Sequence, residues 1–243
     1  MALSADLKRY HRVSRTATYG FLSALPLILL YEVMIVMANQ GRLGEIRVGA
    51  EVWLKQLLAL IGGAGFLVMG VLVLVVGVGI VWYERRKNIP LKPRYFGWII
   101  AESAVYGVVV AFIVSFMVGA VFFISPPNIM NESLWLKLAL SIGAGVYEEL
   151  LFRVLLVGGL FLALKKLMRK KEHAYITAAL IGALIFSWVH YIGPLGDPFT
   201  LWSFTFRFLF GLALNVIFLL RGFGVAAWPH ALYDVMVVTG FFA

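Results

Sequence analysis

The chain has 243 residues, of which 62% are hydrophobic and only 14% charged, well above the roughly 45–50% apolar share of a soluble domain; this excludes an ordinary water-soluble enzyme and leaves a polytopic membrane protein. Its formal charge of +9, from 21 Lys and Arg against 12 Asp and Glu, would suit a nucleic-acid binder in water, but the basic residues cluster between apolar runs. There they act as topology signals beside anionic lipid, so the expected partner is the bilayer and no nucleic acid; the absence of cysteine removes disulfides, thiol nucleophiles and Cys-ligated zinc.

The first apolar run, 17–38, follows Lys8, Arg9, Arg12 and Arg15 as a signal peptide would. It is too long for one and lacks an A-x-A cleavage site, so a retained first span is expected. Further runs cover 57–82, 97–125, 134–164, 174–192, 200–220 and 223–242, each near the roughly 20 residues that a helix needs to cross a bilayer. Long unbroken runs, instead of alternating ten-residue segments, argue against a β-barrel. The predicted fold is an all-α, polytopic transmembrane helical bundle forming a single domain over 1–243, with seven spans, or eight if 134–164 crosses twice. The connectors "YERRKNIPLKPRYF" (83–96) and "KKLMRKKEH" (165–173) each carry five Lys or Arg. The positive-inside rule puts both in the cytoplasm with the N-terminus. One crossing for 134–164 satisfies that rule and leaves "SPPNIMNES" (125–133) and "GPLGDPFT" (193–200) outside. The expected location is the cytoplasmic membrane of a bacterium or archaeon.

Within these apolar runs a few polar residues stand out. "GVYEELLFR" (145–153) places Glu148, Glu149 and Arg153 where Leu and Val are the norm. Residues advance about 100° each around a helix, so the two carboxylates point apart, while Glu149 and Arg153, at i and i+4, share a face. An intramembrane ion pair explains the latter two. It does not explain Glu148, which needs its own partner or a task such as general base. Of four His, two lie in apolar runs: His190 follows Phe186 by four residues, and His230 precedes Asp234 by four, close enough for the carboxylate to fix the imidazole tautomer or share a ligand with it. Two acid-bearing segments and two isolated His favour one convergent site over four independent curiosities. Glu32 and Glu102 read as structural residues near span ends, and Arg207 as a side chain snorkelling to an interface. Walker, dinucleotide and HExxH motifs are absent, which excludes a helix-borne zincin site.

Together, Glu148-Glu149-Leu150-Leu151-Phe152-Arg153, Phe186 to His190, and His230 to Asp234 resemble the EExxxR, FxxxH and HxxxN/D motifs, in order, of the CAAX-protease and bacteriocin-processing (CPBP, or Abi) family of intramembrane endopeptidases. The resemblance covers 134–242. It implies a hydrolase that cleaves a peptide bond of a membrane-anchored protein or peptide, with Glu148 and His190 polarising the attacking water, His230 and Asp234 stabilising the oxyanion, and Glu149, Arg153 and Phe186 in support. The family's commoner Asn would donate to an oxyanion, whereas an ionised Asp234 would repel it. Asp234 is therefore protonated, or orients His230, or joins Glu148, His190 and His230 as ligands of a divalent metal such as zinc; no cofactor is firmly implied. The alternatives from other classes are a non-proteolytic membrane scaffold and a transporter or proton-relay protein using the same buried groups, although the two related halves expected of the latter are not visible.

Depth is a difficulty for convergence. At about 1.5 Å per residue, His190 lies about 24 Å along a helix starting at Ala174, while His230 lies about 13 Å past Arg221. Tilt, a cytoplasmic extension of the 174–192 helix or irregular backbone near "RGFGVAAWP" is needed to close the gap.

Overall fold

The computed structural model describes residues 2–40, 46–60, 65–118, 132–193 and 196–241. Among them there is no strand, and the helices run α1 (Ala2–Val13), α2 (Ala17–Ala38), α3 (Gly49–Ala59), α4 (Gly65–Glu84), α5 (Pro93–Val118), α6 (Leu134–Glu148), α7 (Gly158–Leu167), α8 (Lys171–Val189), α9 (Leu201–Arg221) and α10 (Phe223–Val238). A π-helical stretch, Glu149–Val157, joins α6 to α7 without a break.

Local sequence sets many of these boundaries. Thr16, Ser133 and Thr200, all in extended conformation, accept hydrogen bonds from the amides of Tyr19, Leu136 and Ser203 and so cap α2, α6 and α9, supplying acceptors that the first turn of a helix lacks. Pro93 opens α5, where its missing N–H costs nothing. Gly222, at φ 85°, ends α9 and starts α10. That backbone conformation is open mainly to glycine, so a single residue turns the chain.

The bundle is inverted relative to a soluble protein. Along α8 the buried positions before Phe186 are Ala174, Ala178, Ala179, Gly182 and Ala183, while Ile176, Leu180, Leu184 and Trp188 are exposed. Small residues inside and large apolar ones outside are what close-packed helices in lipid require; in water such an apolar surface would aggregate. By length and composition, four of the described helices, α2, α5, α8 and α9, can cross a membrane, and α10 is a shorter apolar helix. The protein is an integral membrane protein with an all-helical bundle.

Several expectations change in detail. The segment 134–164 lies on one continuous helical path, 134–167, of 15, 9 and 10 residues, about 50 Å long and interrupted only by the π stretch. The expected run 57–82 straddles two helices, because α3 ends at Ala59 and α4 begins at Gly65. The polar N-terminal segment forms α1, which no apolar run announces. It docks through Asp6, whose carboxylate bonds Tyr95 Oη at 2.7 Å and pairs with Arg94 at 2.7 Å and Lys92 at 3.2 Å. The Tyr95 hydrogen bond foremost, then Lys92 and Arg94, holds the Asp6 carboxyl below its ordinary range. Most of the 125–133 segment lies outside the described residues.

Two apolar cores share α2 and α10. One joins α2, α3, α4, α6 and α10 around Tyr31, Ile35, Val146 and Ala231; the other joins α1, α2, α5, α9 and α10 around Tyr19, Ile99, Leu214 and Val225. Asn215 binds α8 to α9, donating Nδ2–H to the Ala179 carbonyl at 2.9 Å. With α6 and α8 also packed on the segment that follows α6, Glu148, His190 and His230 are carried by mutually packed elements.

Candidate active site

Three consecutive residues at the end of α6 face three neighbours. Tyr147 donates its hydroxyl to Glu32 Oε1 on α2 at 3.2 Å. Glu148 turns towards the two imidazoles, with Oε2 3.9 Å from His190 Nε2 and 3.8 Å from His230 Nε2. Glu149, fully buried, accepts from His230 Nδ1 at 2.7 Å and pairs through the same oxygen with Arg153 Nη1 at 3.0 Å. The backbone changes to π geometry at this point, and at its far end the Gly158 amide bonds the Arg153 carbonyl five residues back. Such π insertions are uncommon and concentrate at functional sites.

Arg153 is 1% exposed. Besides Glu149 it has a 3.5 Å contact to the Gly211 carbonyl, and its guanidinium lies 4.4 Å from the centroid of Phe186, a cation–π contact worth more when desolvated. Phe186 is also edge-on to Phe152 and His190, with centroids 5.2 and 5.0 Å away. Its carbonyl accepts from His190 Nδ1 at 2.7 Å. Phe186 therefore supports both the brace and the imidazole.

Those bonds assign the His190 tautomer. With the hydrogen on Nδ1 facing a carbonyl, Nε2 of the neutral ring presents a lone pair towards Glu148. His190 caps the C-terminus of α8, and the chain after it is clamped: Arg207 donates to the Tyr191 hydroxyl at 2.8 Å and pairs with Asp197, while the Asp197 amide bonds the His190 carbonyl at 2.8 Å. Arg207 is only 7% exposed. It does not snorkel, because a buried carboxylate and phenol already satisfy it.

His230 follows Pro229 within α10. Its tautomer is fixed by Glu149 and not by Asp234, whose Oδ2 lies 3.6 Å from Nε2, beyond hydrogen-bond range. Asp234 remains partly exposed beside the ring. Glu148 Oε2 has no protein hydrogen bond among the described residues.

The depth mismatch does not keep the imidazoles apart, since His190 Nε2 and His230 Nε2 lie 3.9 and 3.8 Å from the same Glu148 oxygen. The first turn of α8 stands in the open, with Lys171, Glu172 and His173 exposed. Arg221 at the α9–α10 turn is buried, held by Glu102 at 2.6 and 2.7 Å, by Ser14 Oγ at 3.0 Å and by the His11 carbonyl at 3.3 Å.

Gly145 was not singled out by its sequence. A Cβ there would stand 2.5 Å from both Cβ and backbone N of Ala231, so the absent side chain lets α6 and α10 approach closely enough for Glu149 to reach His230. The signal available in the sequence was a glycine one turn before the paired acids in an apolar helix, a common mark of close helix contact.

Among the described residues, no group of three or more His, Cys, Asp or Glu is arranged to hold a metal ion; Glu149 and His230 Nδ1 are committed to each other. Glu148 Oε2 lies beside the Nε2 atoms of His190 and His230 among aromatic rings, a grouping of side chains able to exchange protons. No curated protein and no solved structure matches the chain. Residues 130–236, which contain all three motifs, match the family model described as type II CAAX prenyl endopeptidase Rce1-like.

Proposed function

We propose that the protein is an intramembrane endopeptidase that hydrolyses a peptide bond of a membrane-associated substrate with water activated by Glu148 and His190. The match of residues 130–236 to the Rce1-like endopeptidase model supports protease activity. The observation that carries the water reading is the placement of Glu148: its Oε2, without a protein hydrogen bond, lies 3.9 and 3.8 Å from two imidazole Nε2 atoms. These separations are too long for direct hydrogen bonds and suit a water bridging the carboxylate and an imidazole.

In this mechanism Glu148 takes one proton as the water oxygen attacks the scissile carbonyl carbon, and His190 Nε2 accepts the other hydrogen bond and aims the attack. His230, protonated on both nitrogens, donates Nδ1–H to Glu149 and Nε2–H to the oxyanion. Collapse breaks the C–N bond, and Glu148 returns its proton to the leaving amine. Asp234 acts through His230 and does not touch the oxyanion. The N-terminus and both basic connectors are assigned to the cytoplasm by the positive-inside rule.

The test is cleavage of membrane-anchored reporter peptides by the purified protein, with prenylated C-terminal tails, bacteriocin precursors and membrane-anchored sorting tails as the three substrate classes. Glu148→Gln and His190→Gln should each lower kcat about 10²- to 10⁴-fold without lowering the melting temperature. Full turnover by Glu148→Gln would remove the proposed base.

A further inference from the structure

Carboxylates near the α1–α2 turn are already engaged. Asp6 is held by Lys92, Arg94 and Tyr95. Glu84 accepts from the Thr18 amide and Lys87, each at 2.8 Å. Glu102 takes Arg221 in a bidentate pair and two phenols, Tyr10 at 2.5 Å and Tyr106 at 2.7 Å. The cations left over are exposed on one side of the turn. His11, Arg12 and Arg15, with Leu220 of α9, line an open cavity of about 390 Å³. Arg12 has no hydrogen bond or ion pair among the described residues, and Arg15 has only a 3.5 Å contact to the Leu219 carbonyl.

The cavity leads onto an apolar surface. Val216, Leu219 and Leu220, at i, i+3 and i+4 on α9, are 53%, 49% and 54% exposed and so form one stripe on the outside of the bundle. Its floor is fixed: Arg221 binds the His11 carbonyl and Ser14 Oγ, and Gly222 sits against the Arg15 backbone. Uncompensated guanidinium groups at one end and a bare leucine stripe at the other complement an amphipathic anion. Arginine matches phosphate oxygens geometrically as well as electrostatically.

We propose that the cavity lined by His11, Arg12, Arg15 and Leu220 binds the phosphate of an anionic phospholipid, whose acyl chains lie along Val216, Leu219 and Leu220. The assignment rests on the membrane fold and is independent of the proteolytic mechanism. The apolar stripe distinguishes a lipid from free phosphate, which would use only the basic end. The position, bridging α1 and α9, makes the lipid a clasp between the N-terminal helix and the helix leading into the α10 site.

The test uses the full chain in neutral detergent, titrated with phosphatidylglycerol or phosphatidylcholine and read by native mass spectrometry. Wild type should retain phosphatidylglycerol about tenfold more tightly than phosphatidylcholine, and Arg12→Gln/Arg15→Gln should abolish that preference. Arg169→Gln/Lys170→Gln, which removes two exposed cations elsewhere, should keep it. Should the double variant fail to fold, Arg12→Gln alone carries the comparison, since its side chain loses no partner. Equal lipid preference in wild type and the Arg12 variants would overturn the site. Equal losses in the Arg169/Lys170 control would reduce it to diffuse attraction, and displacement by equimolar inorganic phosphate would make it a free-phosphate site; either result overturns the lipid assignment.

Discussion

Replacing Glu149 by alanine separates bracing from chemistry. Its fully buried carboxylate is shared, through Oε1, by Arg153 Nη1 at 3.0 Å and His230 Nδ1 at 2.7 Å. Alanine leaves a guanidinium at 1% exposure with a single 3.5 Å carbonyl contact and the Phe186 ring, and an imidazole N–H without an acceptor. Breaking a buried pair from one side costs about 3–5 kcal/mol, and an orphaned buried donor about 1–3 more. Set against a typical stability of about 5–15 kcal/mol, Glu149→Ala should be marginally folded. Glu148→Ala removes a carboxylate whose Oε2 has no protein partner, so it should melt near wild type while losing activity. Adding Arg153→Met to Glu149→Ala removes the stranded charge and should recover part of the loss. Thermal unfolding in detergent, followed by tryptophan fluorescence, compares the four proteins. Equal melting temperatures for Glu148→Ala and Glu149→Ala, or a double variant no more stable than Glu149→Ala, would refute the bracing role.

Gly145→Ala should separate α6 from α10 by about 1 Å, stretching the Glu149–His230 bond past hydrogen-bond length at a cost of about 1–3 kcal/mol for overpacking; wild-type melting and turnover would show that the contact yields without consequence. If water alone is activated, purified protein should contain no stoichiometric metal, chelation should leave turnover unchanged, and Asp234→Asn should keep or raise activity; stoichiometric zinc lost together with activity in Asp234→Asn would overturn that reading. In this cysteine-free chain, Lys87→Cys and Lys170→Cys should react with an impermeant maleimide only after the membrane is opened, and Pro198→Cys from outside; opposite labelling at 87 and 170 would mean that 134–164 crosses twice.

What the sequence revealed and what it hid divide along the range of the interactions. The Glu149–Arg153 pair was legible because i,i+4 geometry is local, and its partners do meet at 3.0 Å. The coupling of His230 to Glu149 instead of Asp234 was not, because it depends on how closely α6 and α10 approach, and that distance is set by Gly145 against Ala231. Helix propensities carry no mark of the π register at 149–157, which comes from packing. α1 escaped notice for the opposite reason: it is too polar to register as a span, and its docking rests on Asp6 and Tyr10, whose partners are Lys92, Arg94, Tyr95 and Glu102. Arg207 was misplaced since an arginine near an apolar helix end either snorkels or pairs, and only the fold brings Asp197 beside it.

The N-terminal part, outside residues 130–236, bears on the site through the side of α6 that faces away from it. Arg47 gathers Glu32 at 3.2 Å and Glu51 at 2.6 Å, Tyr31 donates to Glu51, and Glu32 receives Tyr147. Tyr31 and Tyr147 meet edge to face at 5.4 Å, and Tyr31 also fills the space that a side chain at Gly143 would need. Tyr147 is thus fixed by α2 on one side, and two residues later Glu149 is fixed by α10 and Arg153 on another. A backbone held at both flanking residues leaves Glu148 little freedom to rotate about the helix axis or move along it. Fixing a carboxylate relative to the imidazoles beside it takes supporting contacts of this kind, and here they come from α2 and α3 as much as from the helices bearing the motifs. In the proposed mechanism the three motifs supply the reacting groups, while the placement of Glu148 belongs to the whole bundle.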